Sequence, residues 1–240
     1  MKLNDMQSGK AAGFNFSGIR PETLGATEYT LVTVVTDKTG SVTAFAAELL
    51  AMKRAVVDAC RKSPRSAYLL LRQVEFNTVV DEVHGFLELT DIDPASYREP
   101  ATGGMTALYD ATFAAVTATR AYGKTLTDAD FGVNAIVFVI TDGDDNASRT
   151  GTAKAIAREV AESVKSEALE SLRVVLIGIN AGQYRAKLES FAAAAGIDQY
   201  VDAGEATPGR LATLAQFVAT SIASQSQSLG TGGPSQALVF

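Results

Sequence analysis

The chain has one cysteine, one histidine and no tryptophan among its 240 residues, and each scarcity removes a class of function. A single thiol, Cys60, cannot close an intrachain disulfide, and without a cluster of cysteine and histidine a zinc site has no ligand set. No stretch approaches the roughly 18 consecutive apolar residues that a membrane helix needs. The first residues, Met1-Lys2-Leu3-Asn4-Asp5-Met6-Gln7-Ser8, lack the apolar centre of a secretory signal, so a soluble, cytoplasmic protein without membrane contact is expected. Cations are in the minority: 21 Lys and Arg face 27 Asp and Glu, a net charge of -6, and they are dispersed along the chain. A nucleic-acid binder that neutralises phosphates needs the opposite balance, so nucleic acid is not an expected partner.

What is present suits one α/β domain with a sizeable core, since 47% of residues are hydrophobic and only 20% charged. Residues 1–28 are polar, contain glycine and show no period, and are expected to form an irregular arm. From 29 to 223 strands and helices alternate. Apolar or β-rich runs at 30–36, 68–75, 82–89, 134–141 and 172–179 predict strands, the third partly alternating as an edge or antiparallel strand does. Helical periodicity covers about 42–60, 106–121, 150–170, 181–195 and 208–223. Its expected buried stripes include Val42, Phe45, Leu49, Met52, Val56 and Cys60, then Ile156, Val160 and Val164, then Leu211, Leu214, Phe217, Val218 and Ile222. This order predicts a Rossmann-like, doubly wound, mostly parallel sheet with one antiparallel edge strand and helices on both faces. The Ser- and Gln-rich stretch 224–240 is expected to be a flexible tail.

Three segments carry oxygen donors at the ends of strands or the starts of helices. Asp37-Lys38-Thr39-Gly40-Ser41 follows the apolar run Leu31–Val35, Gly103-Gly104-Met105-Thr106 opens a helical pattern, and Thr141-Asp142-Gly143-Asp144-Asp145 follows Ala135–Ile140. In open α/β sheets ligands bind at the carboxyl ends of strands, so the three loops can converge on one hard divalent cation. Each segment has a plainer reading: Ser41 and Thr106 as helix N-caps, Asp142-Gly143 as a turn, Asp144 and Asp145 as solvated loop acids.

Taken together, these residues resemble the metal-ion-dependent adhesion site of von Willebrand factor A domains. That site reads Asp-x-Ser-x-Ser after the first strand, a threonine in a glycine-rich loop, and an aspartate in Thr-Asp-Gly after a central strand. The resemblance covers roughly residues 29–223 and implies that Asp37, Thr39, Ser41, Thr106 and Asp142 bind Mg²⁺ or Mn²⁺ directly or through water. Thr39 departs from the pattern: serine is usual there. The resemblance further implies a partner protein that supplies a carboxylate to the metal, with binding and no turnover. An enzyme reading competes. Asp37-Lys38-Thr39-Gly40 also looks like the phosphorylated-aspartate loop of P-type ATPases, within the haloacid dehalogenase superfamily. There Asp37 is the nucleophile of an Mg²⁺-dependent phosphohydrolase or phosphotransferase. Against it, the superfamily's Gly-Asp-Gly is missing and Gly104–Leu108 is left unexplained. His84 is expected to be structural, and the terminal Ala237-Leu238-Val239-Phe240 is a candidate docking peptide.

Overall fold

The computed structural model describes residues 5–231 and 239–240. Among the described residues the chain forms an eight-stranded sheet and five α-helices. The strands are β1 (Met6–Ala11), β2 (Phe14–Ile19), β3 (Glu28–Asp37), β4 (Leu69–Phe76), β5 (Val80–Glu88), β6 (Gly132–Thr141), β7 (Leu172–Ile179) and β8 (Gln199–Gly204). The helices are α1 (Ala46–Arg61), α2 (Leu108–Thr127), α3 (Ala153–Lys165), α4 (Arg185–Ala194) and α5 (Pro208–Thr231). The sheet order is β1-β2-β5-β4-β3-β6-β7-β8.

The centre follows from the sequence. β3 and β6 are apolar along most of their length because α1 and α5 cover one face of the sheet and α2 and α3 the other. β3, β4, β6, β7 and β8 run parallel, and β5 turns back antiparallel to β4. Polar side chains along the central strands find one another: Thr30 Oγ1 donates to Asn134 Oδ1 at 2.7 Å, and Thr33 and Thr119 pair their hydroxyls at 2.9 Å. Cys60 is buried on α1 and its thiol is pushed up to about 12 by that burial, which leaves an inert packing group. The α3 stripe is narrower than expected. Ile156 is buried and Val160 half-buried, but Val164 is 46% exposed, because the buried face of the last turn of α3 runs through Ser163 instead.

The two ends of the chain depart from expectation. Residues 6–19 are an antiparallel hairpin, not an irregular arm; it joins the sheet beside β5, so that β1 is the outer strand and β5 lies inside it. Gly85 permits the junction, since a β-carbon there would come within 2.2 Å of the Ser17 carbonyl oxygen. At the other end α5 continues eight residues beyond the predicted stop at 223, to Thr231. Gln225, Ser226 and Leu229 are buried in that extension. Gln225 Nε2 donates to the Ala135 carbonyl at 3.0 Å and to Ser171 Oγ at 2.9 Å, while the Gln225 backbone carbonyl accepts from Asn134 Nδ2 at 2.7 Å. Residues 232–238, and with them the first half of the candidate docking peptide, Ala237 and Leu238, lie outside the described residues. Phe240 meets Phe217 of α5 edge-on, with ring centroids 5.5 Å apart. Strand β8 was not anticipated. No helix among the described residues is long and apolar enough to cross a membrane.

Candidate metal centre

β3 and β6 are parallel neighbours with Thr36 opposite Ile140, so the residues that end them, Asp37 and Thr141, arrive together at one sheet edge. Thr141 Oγ1 donates to Asp37 Oδ2 at 2.7 Å, and the Thr39 amide donates to Asp37 Oδ1 at 2.7 Å. A 3-10 turn over Gly40–Phe45 then brings Ser41 back over the strand ends before α1 begins. Ser41 Oγ lies 2.9 Å from Thr39 Oγ1 and donates to Asp142 Oδ1 at 2.9 Å. Asp37, Thr39, Ser41 and Asp142 are therefore joined in one continuous hydrogen-bonded cluster.

Thr106 reaches the same sheet edge from the third loop. Its Oγ1 is 3.9 Å from where a β-carbon on Gly143 would stand, beside Asp142, and the hydroxyl has no hydrogen-bond partner among the described residues. The loop is positioned through its backbone. Thr106 N donates to Asn146 Oδ1 at 2.8 Å, and the Thr106 carbonyl accepts from the amides of Asn146 and Ala147 at 2.9 and 3.1 Å. Gly104 adopts φ +79, a left-handed conformation that disfavours any β-carbon, and one there would approach Thr78 Oγ1 to 2.9 Å.

The capping reading of the hydroxyls does not hold. α1 starts after Phe45 and α2 after Ala107, each without a side-chain cap, so Ser41 and Thr106 are not used by the helices. Instead Asp145 Oδ1 accepts from the Tyr109 amide in the first turn of α2 at 3.2 Å. Asp144 pairs with Lys187 at 2.7 Å. Neither acid joins the cluster, as expected of loop acids: Asp144 makes a surface pair and Asp145 caps α2. Sequence reasoning also missed the residues that hold the loops together. Thr141 steadies Asp37, and Asp110 gathers the amides of Arg149, Thr150 and Gly151 at 3.0, 2.8 and 2.5 Å. The density of Asp, Asn and Ser after Thr141 was the available signal, since such side chains habitually accept nearby amides.

The electrostatics are unusual for a purely structural corner. Asp37 is 2% exposed and Asp142 8%. Burial pushes the Asp37 carboxyl up to about 6 against the hydrogen bonds from Thr39 and Thr141, and the charge of Asp142 adds to the rise. Asp142 is raised as well, chiefly by burial. No cationic side chain pairs with either among the described residues; the adjacent Lys38 is drawn off to Asp81 at 2.7 Å. No group of three or more His, Cys, Asp or Glu gathers among the described residues to hold a metal, so an ion here would rest on two carboxylates and three hydroxyls. That all-oxygen set fits a hard divalent cation, which tolerates few charged ligands because it keeps part of its water.

No family model matches the chain, and no curated protein matches it in sequence. Solved structures do. Proximal thread matrix protein 1 from the mussel byssus, in a form with a zinc-occupied MIDAS motif, is similar over 82% of this chain and 46% of its own, with TM-score 0.54 and 17% identity. The PilB minor pilin from Streptococcus sanguinis is similar over 87% of this chain and 64% of its own, with TM-score 0.55 and 16% identity. The ArnB paralog VWA2 from Sulfolobus acidocaldarius gives 79%, 44%, 0.50 and 14%. The chain thus spans about half the length of the mussel and archaeal proteins. These likenesses establish the fold: the chain has the von Willebrand factor A-like architecture, an α/β sheet flanked by helices.

Proposed function

We propose that the chain is a divalent-metal-dependent protein-binding module that recognises an acidic residue of a partner protein. The observation that carries this reading is the cluster of Asp37, Thr39, Ser41 and Asp142, two buried carboxylates tied together by hydroxyls and paired with no cationic side chain among the described residues. Asp37, Thr39, Ser41, Thr106 and Asp142 would hold Mg²⁺ or Mn²⁺. When bound, the ion supplies a positive centre with coordination positions to spare, which a partner's carboxylate can fill.

The chain's own part is preorganisation. Thr141 and the Thr39 amide fix both oxygens of Asp37, Ser41 orients Asp142, and Asn146 keeps the Thr106 loop in place. Thr39 keeps the hydroxyl of the usual serine, and its placement 2.9 Å from Ser41 Oγ supports the exchange being tolerated. The mussel protein's zinc-occupied motif on a like fold supports a divalent ion here. Titration calorimetry with Mg²⁺ and Mn²⁺ tests the site: the wild type binds, Asp37→Ala does not, and equal behaviour of the two proteins would end the proposal. Retention of a partner in a pull-down that is lost on adding EDTA tests recognition. The phosphotransfer alternative is met by assaying Mg²⁺-dependent hydrolysis of a generic phosphate ester by wild type and Asp37→Asn; turnover lost in the variant would replace binding by catalysis.

A further inference from the structure

Away from the metal centre, the sheet opens where the N-terminal hairpin meets it. β2 and β5 are parallel neighbours joined at one registered pair, Gly18 opposite Phe86. Towards Phe14 and Val80 the two strands part, and a cavity of about 830 Å³ occupies the gap, bordered by Lys10, Phe14, Asn15, Ser17, Arg72 and Glu82. Arg72 is a charged side chain only 1% exposed. Its Nε donates to Glu82 Oε2 at 2.6 Å, but Nη1, equally buried, has no hydrogen-bond partner among the described residues. A buried guanidinium donor without an acceptor carries the full cost of its lost hydration, and an acceptor oxygen brought to it through the cavity would relieve that cost.

The balance of charge says what kind of oxygen. Glu82 is committed: it accepts from Arg72, from Ser17 Oγ at 2.6 Å and from the Ser17 amide at 3.3 Å. Asp81, also on the cavity wall, is neutralised by Lys38 at 2.7 Å. Lys10 is exposed on β1 and has no ion pair among the described residues, so once Asp81 is paired with Lys38 from outside the wall and Glu82 with Arg72, the Lys10 charge is left over beside the unsatisfied guanidinium nitrogen. Phe14 and Phe16 add apolar surface beside it.

We propose that this cavity binds a small organic oxyanion, a carboxylate or phosphate held between Lys10 and Arg72 with its carbon body against the two phenylalanines. The guanidinium suits this task because its planar fork presents parallel donors to two oxygens of one anion. The site is independent of the metal centre, since none of its residues belongs to that cluster.

The test uses succinate and inorganic phosphate as probes, at constant ionic strength, read by calorimetry and by the Arg72 side-chain NMR signal. Saturable binding by wild type and by Asp37→Ala is expected, with affinity at least about tenfold weaker in Lys10→Ala and in Arg72→Lys, which keeps the charge but loses the fork. The tighter of the two probes identifies the headgroup. Absence of saturation by either probe, or equal affinity in wild type and Lys10→Ala, overturns the proposal. A crystal structure grown with both probes in which Nη1 is met by an ordered water alone overturns it too.

Discussion

Asp37 with Asp142, and Arg72 with Glu82, are two clusters of buried charge that the fold treats in opposite ways. The first places two carboxylates together and sends the adjacent lysine elsewhere; the second sets a guanidinium against a carboxylate at 2.6 Å and locks both to the hairpin through Ser17. Taking a charge out of water costs several kcal/mol, which a paired ion recovers from its neighbour and an unpaired one does not. A fold that keeps two like charges buried at a strand end therefore leaves a place that a cation stabilises. The opposed pair holds strands together. Mutation should separate these two roles.

The largest expected effect is on metal affinity: Asp37→Ala or Asp142→Ala lowers it at least ~100-fold, since either removes one of the two charged ligands. Neither should weaken the metal-free fold, because each relieves like-charge crowding; unfolding midpoints in EDTA at pH 7.5 stay level or rise. Arg72→Met does the reverse. It strips the charged partner from the half-buried Glu82 carboxylate and should cost about 2–4 kcal/mol in urea unfolding, with metal affinity unchanged. A metal-free Asp37→Ala that unfolds as readily as Arg72→Met would collapse the distinction.

The same contrast separates what the sequence made legible from what it hid. The oxygen-rich cluster and the strands that carry it were readable because continuous apolar runs mark buried parallel strands, and hydroxyl and carboxylate residues at their ends stand out against them. The hairpin was hidden by its turn. Ala12 and Gly13 both take positive φ, +49 and +95, in the two-residue connection between β1 and β2. Such turns usually announce themselves with Asn-Gly or Asp-Gly; an alanine in that conformation gives no signal. The end of α5 was hidden by composition. A Ser-Gln run reads as a linker, yet Gln225 and Ser226 are buried because their polar groups meet the Ala135 carbonyl, Ser171 and Arg65, contacts made by residues far along the chain.

That reading sets the next effect in size. Removing everything after Ser224 deletes the Gln225 contacts, the 3.2 Å hydrogen bond from Arg65 Nε to Ser226 Oγ and the buried Leu229. It also leaves Asn134 Nδ2 without the carbonyl it reaches inside the core. A loss of about 2–4 kcal/mol is expected in denaturant unfolding, from stranded polar groups and one lost buried leucine. Gln225→Ala alone should account for about 1–2 kcal/mol of it. If truncation after Ser224 left the midpoint unchanged, residues 225–231 would be a tail after all.

The smallest effect belongs to His84, beside the Arg72 pair, and it is a dependence on pH. Its ring is buried, with Nε2 2.7 Å from the Tyr97 hydroxyl and Nδ1 2.8 Å from the Gly85 carbonyl. Nδ1 therefore donates to the carbonyl, and when the imidazole is neutral Nε2 accepts from the Tyr97 hydroxyl. Burial lowers its pKa from the ordinary 6.5; the Gly85 carbonyl and Glu82 oppose the shift and the charge of Arg72 adds to it. Below pH 6.5 the unfolded chain takes up a proton more readily than the folded one, so this contribution to stability is complete above about 6.5 and is lost as pH falls through the lower folded pKa. Replacing His84 by Gln should flatten the stability profile below pH 6.5 while leaving the metal titration as it was. Identical slopes in wild type and His84→Gln over that window would show that the imidazole is not held neutral by the fold.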